Sequence, residues 1–267
     1  MPCRPRSLLL VAVVFLLASP LLRPATALAA APPAPSLPSL AALPEMLLRL
    51  DALHAHRDEP AARAEAHRVA NAALAQAPTD YGALWRAARE LFDESDAPQL
   101  SEDERSRLGQ QAYDLAQRAI AVNPNDAAAQ YWAALSVGRY AEKMGVLRAI
   151  ANGIEGKFKR PLERATALDV SYDHGSIPVV WAAYYLELPW PKRDRDKAAA
   201  ELRRALTINP ANLRARLYQA RIAVDEDHPD VARALLATIA AAPVGRYDAP
   251  EERAVKKEAV AMAAKLR

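Results

Sequence analysis

The residues best suited to chemistry are aromatic, and they are concentrated in the middle of the chain. Of 16 aromatic side chains, 13 fall between positions 81 and 190. Trp85, Tyr131, Trp132, Tyr140, Trp181, Tyr184 and Tyr185 all lie on segments with helical periodicity. Large rings with polar tips supply contact area for an apolar or planar ligand. The same rings serve equally as interhelical core, and a mixture of the two roles is expected. A second cluster, Asp169, Tyr172, Asp173 and His174, places an imidazole next to carboxylates at a helix start. Acid–base or metal chemistry there would need a third group from elsewhere in the fold. Helix capping by Asp169 and Asp173 is the simpler reading. Trp190 stands in a Leu188-Pro189-Trp190-Pro191 element. With Tyr172 and His174, these aromatics make up the candidate ligand- or partner-binding set.

Other reactive residues offer less. His54 and His56 are two apart and project from different helix faces, so they cannot share a metal as an i,i+4 pair could. His67 and His228 have no partner motif, and no metal site is predicted. The single cysteine, Cys3, precedes an apolar run, which leaves no disulfide framework or thiol nucleophile beyond it. No serine nucleophile elbow, phosphate loop or dinucleotide fingerprint occurs, and Gly153-Ile154-Glu155-Gly156 is too sparse to cradle phosphate. Lys157, Lys159 and Arg160 are followed by Glu163, and residues 191–197 alternate in sign, so both read as solvated helix starts. The expectation is a non-enzymatic protein without cofactor.

The elements that must position these residues are helices. Only 8 glycines among 267 residues argue against an all-β chain or a glycine-rich nucleotide fold. Apolar residues recur at three and four from Leu43 onward, and short Pro/Asn/Asp clusters break the pattern. Aligned on those breaks, a small-x3-apolar-x2-small-x4-Pro repeat emerges. Its copies are Ala66, Ala70, Ala73, Pro78; Ala112, Ala116, Ala119, Pro124; Phe158, Leu162, Ala165, Val170; Ala198, Leu202, Ala205, Pro210; and a weaker Val231, Leu235, Thr238, Pro243. Small residues let antiparallel helices approach closely, and the proline ends one helix as the next begins. First helices are predicted at 43–57, 80–94, 126–142, 175–187 and 211–224. Second helices are predicted at 60–77, 101–122, 155–169, 194–208 and 229–241. A closing helix runs from Asp248 to Leu266, where Glu252 and Lys256 are read as a wet-face pair. The fold class is all-α, an α-solenoid of about five antiparallel helix pairs with a C-terminal capping helix. Its first helices form the concave side.

Residues 1–29 combine Arg4 and Arg6, an apolar run from Leu8 to Leu22 and a small-x-small end at Ala27-Leu28-Ala29. That pattern predicts a cleavable secretory signal, with retention as an anchor the alternative. Residues 30–42 read as a Pro/Ala-rich linker and 43–267 as the helical domain. The whole chain carries 35 basic and 32 acidic residues; the first segment holds three basic and no acidic ones, so the remainder has 32 of each. A neutral mature protein has no bulk electrostatic reason to bind nucleic acid or anionic lipid. It is expected in the periplasm or secreted, without stable membrane insertion after signal cleavage.

The repeat resembles tetratricopeptide (TPR) proteins over roughly 43–243. Segments 81–89 (YGALWRAAR), 130–141 (QYWAALSVGRYA), 168–175 (LDVSYDHG) and 188–191 (LPWP) resemble the T-component family of TRAP-type transport systems. Mitochondrial regulators of microtubule dynamics are similar in TPR layout and in the Leu-Pro-Trp element. The transporter resemblance implies an exported helical protein that binds a small apolar ligand and partners a periplasmic substrate-binding subunit. Two features depart from it: no lipidation cysteine follows the apolar run, and Ser176-Ile177-Pro178-Val179-Val180 replaces a glycine-rich stretch. A partner-protein scaffold without small ligand is the alternative, and a homo-oligomer is compatible with either.

Overall fold

The computed structural model describes residues 42–97, 99–141, 153–188 and 191–266. The expected signal at 1–29, the linker apart from Ala42, and Trp190 lie outside the described residues. Among the described residues there are eleven helices and no strand. They are α1 (Leu43–His54), α2 (Pro60–Gln76), α3 (Tyr81–Ser95), α4 (Glu102–Val122), α5 (Ala127–Ala141), α6 (Ile154–Leu168), α7 (Tyr172–Glu187), α8 (Arg195–Ile208), α9 (Leu213–Asp225), α10 (Pro229–Ala241) and α11 (Ala249–Lys265). None is long and apolar enough to cross a membrane.

The helix starts have local causes. Asp80, Asp194, Asn212 and Asp248 each accept a hydrogen bond from the backbone N–H three residues on, satisfying a donor that the helix leaves unpaired. Ser101 and Glu104 form a reciprocal capping box. Proline in the first turn sets the entrance of α1, α2, α10 and α11.

Consecutive helices pack in antiparallel pairs, and each odd-numbered helix also touches the next odd-numbered one along the whole series. The odd helices are therefore the inner, concave layer of an α-solenoid, and the even helices are the outer layer. The small-residue stripe makes this packing close. Ala66, Ala70 and Ala73 on α2, Ala112, Ala116 and Ala119 on α4, and Ala198, Leu202 and Ala205 on α8 are all buried. A bulkier residue at one of the alanines would overpack the helix pair, at about 1–3 kcal/mol.

Three local expectations are corrected. In the fifth repeat the buried stripe is Ala232, Leu236 and Ile239, one residue later than predicted, while Val231 and Thr238 face solvent. The slip keeps the 4,3 spacing, puts small Ala232 at the first position as in the stripes of α2, α4 and α8, and turns apolar Ile239 inward in place of Thr238. Glu252 is buried, not a wet-face partner of Lys256. Its carboxylate accepts the backbone N–H groups of Gly245, Arg246 (3.1 Å) and Tyr247 (3.1 Å), and Lys256 instead donates to the carbonyl of Ala242. Asp173 caps no helix; together with His174 and Gly175 it adopts a left-handed conformation that breaks the first turn of α7. Gly175 (φ +81°) packs against Ile208, whose Cγ2 would lie 3.2 Å from an added Cβ. Here the glycine is required by both backbone and space.

The solenoid also closes upon itself. Arg57, just after α1, donates to Asp248 at the start of α11 (2.6 Å), and Arg253 pairs with Asp58 through two bonds of 2.6 and 2.9 Å. Residues nearly two hundred positions apart thus bridge the two ends of the inner layer.

Candidate functional site

The inner layer converges on one cavity of about 160 Å³. Each odd helix but one contributes: His54 at the end of α1 with Arg57 just after it, Phe92 and Asp93 near the end of α3 with Asp96 at its C-cap, and Tyr131, Trp132 and Leu135 from α5. Asp173, His174 and Ser176 come from the broken first turn of α7, and Tyr247, Asp248 and Glu251 come from the entrance to α11. α9 supports the site from behind. Buried Asn212 donates to the carbonyl of His174 (3.4 Å) while capping α9, and the backbone N–H of Leu213 donates to the Tyr247 hydroxyl (3.0 Å).

Trp132 is the central wall. Its ring lies 5.6 Å from Phe92, 5.2 Å from Tyr131 and, edge-on, 6.1 Å from His54. Its indole N–H donates to the Tyr172 hydroxyl (3.1 Å), which fixes the ring without occupying the cavity. Burial pushes the Tyr131 and Tyr172 phenols up, with neighbouring Asp173 adding to both, so each stays a neutral donor at neutral pH.

Charge is arranged in layers around that wall. His54 Nδ1 meets Asp93 Oδ2 at 2.7 Å, Arg57 Nε lies 3.9 Å from Asp93, and Arg57 also donates to Asp248. Burial raises the Asp93 carboxyl, but His54, Arg57 and Arg89 outweigh it and hold the group below the ordinary range. One donor atom each from His54, Glu90 and Asp93 lies within 4.8 Å of the others, a spacing that suits a cation. Arg89 donates twice to Glu90 (2.9 and 3.1 Å) and once to Asp51, so the guanidinium groups already balance these carboxylates. The trio is accounted for as a charge-matched network joining α1 to α3. Asp173 is different. Its Oδ2 accepts a long bond from Tyr131 (3.4 Å), and no cationic side chain among the described residues lies within ion-pair distance. Burial and nearby Asp248 push its carboxyl up.

The candidate residues separate into groups. Tyr131, Trp132 and His174 come together in the cavity, and Tyr172 stands directly behind Trp132. Trp85 is elsewhere on α3, with the guanidinium groups of Arg86 and Arg89 over its ring at 4.2 and 5.2 Å. Tyr140 is buried against Tyr113. Trp181 is buried, donates to Thr166 (2.9 Å) and stacks on Tyr185. Tyr184 stacks on Phe158 and donates to Glu155 (2.6 Å). Trp190 lies outside the described residues. The cavity also uses His54, Arg57, Phe92, Asp93, Tyr247 and Asp248, which sequence reasoning passed over. Phe92, Asp93 and Asp96 do share one helical face by their spacing, but nothing local says that this face turns inward.

Known proteins are similar in two respects. Residues 46–175 match the family model described as regulator of microtubule dynamics protein 1-3. Regulator of microtubule dynamics protein 1 of Bos taurus is 32% identical over 112 residues, 41% of this chain and 34% of that protein. The protein of the same name from Mus musculus is 31% identical over 112 residues, 41% of this chain and 36% of that one. The chain thus spans about a third of the length of these relatives. A thermophilic TPR protein of Thermus thermophilus superposes over 84% of this chain and 98% of its own, at 18% identity and a TM-score of 0.61. The repeat, the two-layer packing and this superposition agree that the chain has a TPR-like α-solenoid fold.

Proposed function

We propose that the chain is a non-catalytic binding protein that holds a small ligand in its inner cavity. The observation that carries the reading is convergence: five inner segments contribute to one cavity whose rim is bridged by Arg57–Asp248 and Asp58–Arg253. An inner face tied end to end suits a compact ligand better than a long extended peptide. The signal-like segment 1–29 supports export to the periplasm, and the resemblance of segments 81–89, 130–141, 168–175 and 188–191 supports service to a TRAP-type transport system. The match over 46–175 supports common ancestry with regulators of microtubule dynamics in that part of the chain.

Native mass spectrometry of the protein purified from an exporting host tests the reading. A stoichiometric adduct that Trp132→Phe weakens is the expected result. A clean apo mass, repeated in the presence of pooled cell metabolites, would overturn it. A protein-scaffold reading is favoured by a separate observation. An open cleft of about 640 Å³ runs between α2, α3 and α4, lined by polar side chains such as His67, Glu94, Arg107 and Arg118. TPR-like folds commonly engage protein partners, and such a cleft offers them hydrogen bonds.

A further inference from the structure

The charges lining the inner cavity are unequal in a way that selects a ligand. The one guanidinium lining the cavity and its carboxylate-bound imidazole are already committed. Arg57 donates to Asp248 (2.6 Å) and to the carbonyl of His54 (3.2 Å), and His54 holds Asp93 (2.7 Å). Glu251 is taken by Arg214 (2.7 Å). The Asp173 carboxylate is held by hydroxyls, a long bond from Tyr131 (3.4 Å) and one from Ser176, and feels Arg57 and His54 from a distance, but no cationic side chain among the described residues lies within ion-pair distance of it. An anionic ligand would therefore meet Asp93, Asp173, Asp248 and Glu251 with no uncommitted guanidinium or ammonium group in the lining to receive it. A cation would supply the counter-charge that Asp173 lacks.

Size and wall chemistry narrow the class. A cavity near 150 Å³ holds a benzene-sized molecule, on the order of six to ten heavy atoms. Trp132 and Phe92, whose rings lie 5.6 Å apart, offer apolar and π surface beside the carboxylate. Aromatic walls around one carboxylate are how proteins receive organic ammonium groups, where ring quadrupole and ion pair act together. A bare divalent ion would want several converging oxygens or imidazoles, and the group that offers those, His54–Glu90–Asp93, is already balanced by Arg57 and Arg89.

We propose that the inner cavity binds a small organic ammonium ion, with its charge against Asp173 and its alkyl groups against Trp132 and Phe92. The inference rests on the small-ligand reading above and names the chemical class of that ligand. The backbone fits the assignment: Asp173 and His174 both sit at positive φ (51° and 57°), a conformation that costs free energy and presents the Asp173 carboxylate inward.

Choline and its uncharged carbon isostere, 3,3-dimethylbutan-1-ol, differ in charge and almost nothing else, so they are the probes. Titrated calorimetrically into the full chain, choline is expected to bind at least about tenfold more tightly than the alcohol. Asp173→Asn is expected to erase that difference while keeping the native circular dichroism spectrum, since asparagine tolerates the left-handed backbone. Equal affinity for the two probes, no binding of choline, or discrimination that survives Asp173→Asn would each overturn the assignment. A neutral or anionic adduct in the native mass spectrum would overturn it too, while leaving the small-ligand reading in place. A clean apo mass with no choline binding would remove both.

Discussion

Replacing Glu252 with alanine tests the least anticipated feature of the fold. The carboxylate is buried, and it gathers the N–H groups of Gly245, Arg246 and Tyr247 ahead of α11. A hydrogen bond to a charged group contributes about 1.5–3 kcal/mol. Gly245 and Arg246 are exposed, so water can replace the carboxylate there, and the full loss falls mainly on half-buried Tyr247. Adding the lost packing of a buried side chain, the expected cost of Glu252→Ala is about 3 kcal/mol. At this chain length that corresponds to a thermal midpoint lower by roughly 6–12 °C. The damage should also be local. Tyr247 holds the N–H of Leu213, and Asp248 holds Arg57, so hydrogen exchange should accelerate at 245–248 and at the start of α9 before the rest of the chain. Calorimetry with exchange mass spectrometry reads both. A midpoint within about 2 °C of wild type, or faster exchange spread evenly over all helices, would refute the reasoning.

Other perturbations have signs that follow from the same geometry. Gly175→Ala places a Cβ at positive φ and 3.2 Å from Ile208, so urea denaturation should show a loss of about 2 kcal/mol. The Asp93 carboxyl is held below its unfolded value of about 3.9. It therefore contributes stability above that pH, which is lost as pH falls through the lower folded value. Asp93→Asn should flatten this acid limb in pH-dependent melting. Asp173 has the opposite sign: its carboxyl is raised, so the ionised form costs stability at neutral pH and the cost is relieved as pH falls through the folded value towards about 4. Asp173→Asn should accordingly raise the neutral-pH midpoint of the ligand-free protein, and a lower midpoint would contradict the charge imbalance drawn from the cavity.

Local order was legible in the sequence, because local order has local causes. The helix starts at Asp80, Ser101, Asp194, Asn212 and Asp248, and the small-residue stripes of α2, α4 and α8, depend on residues three or four apart. Those interactions fix helix length, pairing and the two-layer solenoid class. What needed the tertiary structure was every relation whose partners lie far apart. Which of the central aromatics share one cavity depends on the small rotations between successive helix pairs, which add along the solenoid and have no signature in any one segment. Trp132 and Tyr131 face inward with Phe92, whereas Trp181 and Tyr184, on the same layer, pack against α6. The same accumulated rotation brings α11 back to α1, so Arg57 meets Asp248 and His54 meets Asp93. Glu252 was misread for the related reason that burial is a property of the assembled chain: a glutamate on a helix is ordinarily wet, and only the loop folding over it supplied three backbone donors. Sequence alone determined that these helices form and pair; the curvature of their stack decided which side chains meet, because curvature is summed over the whole chain while sequence patterns are read a few residues at a time.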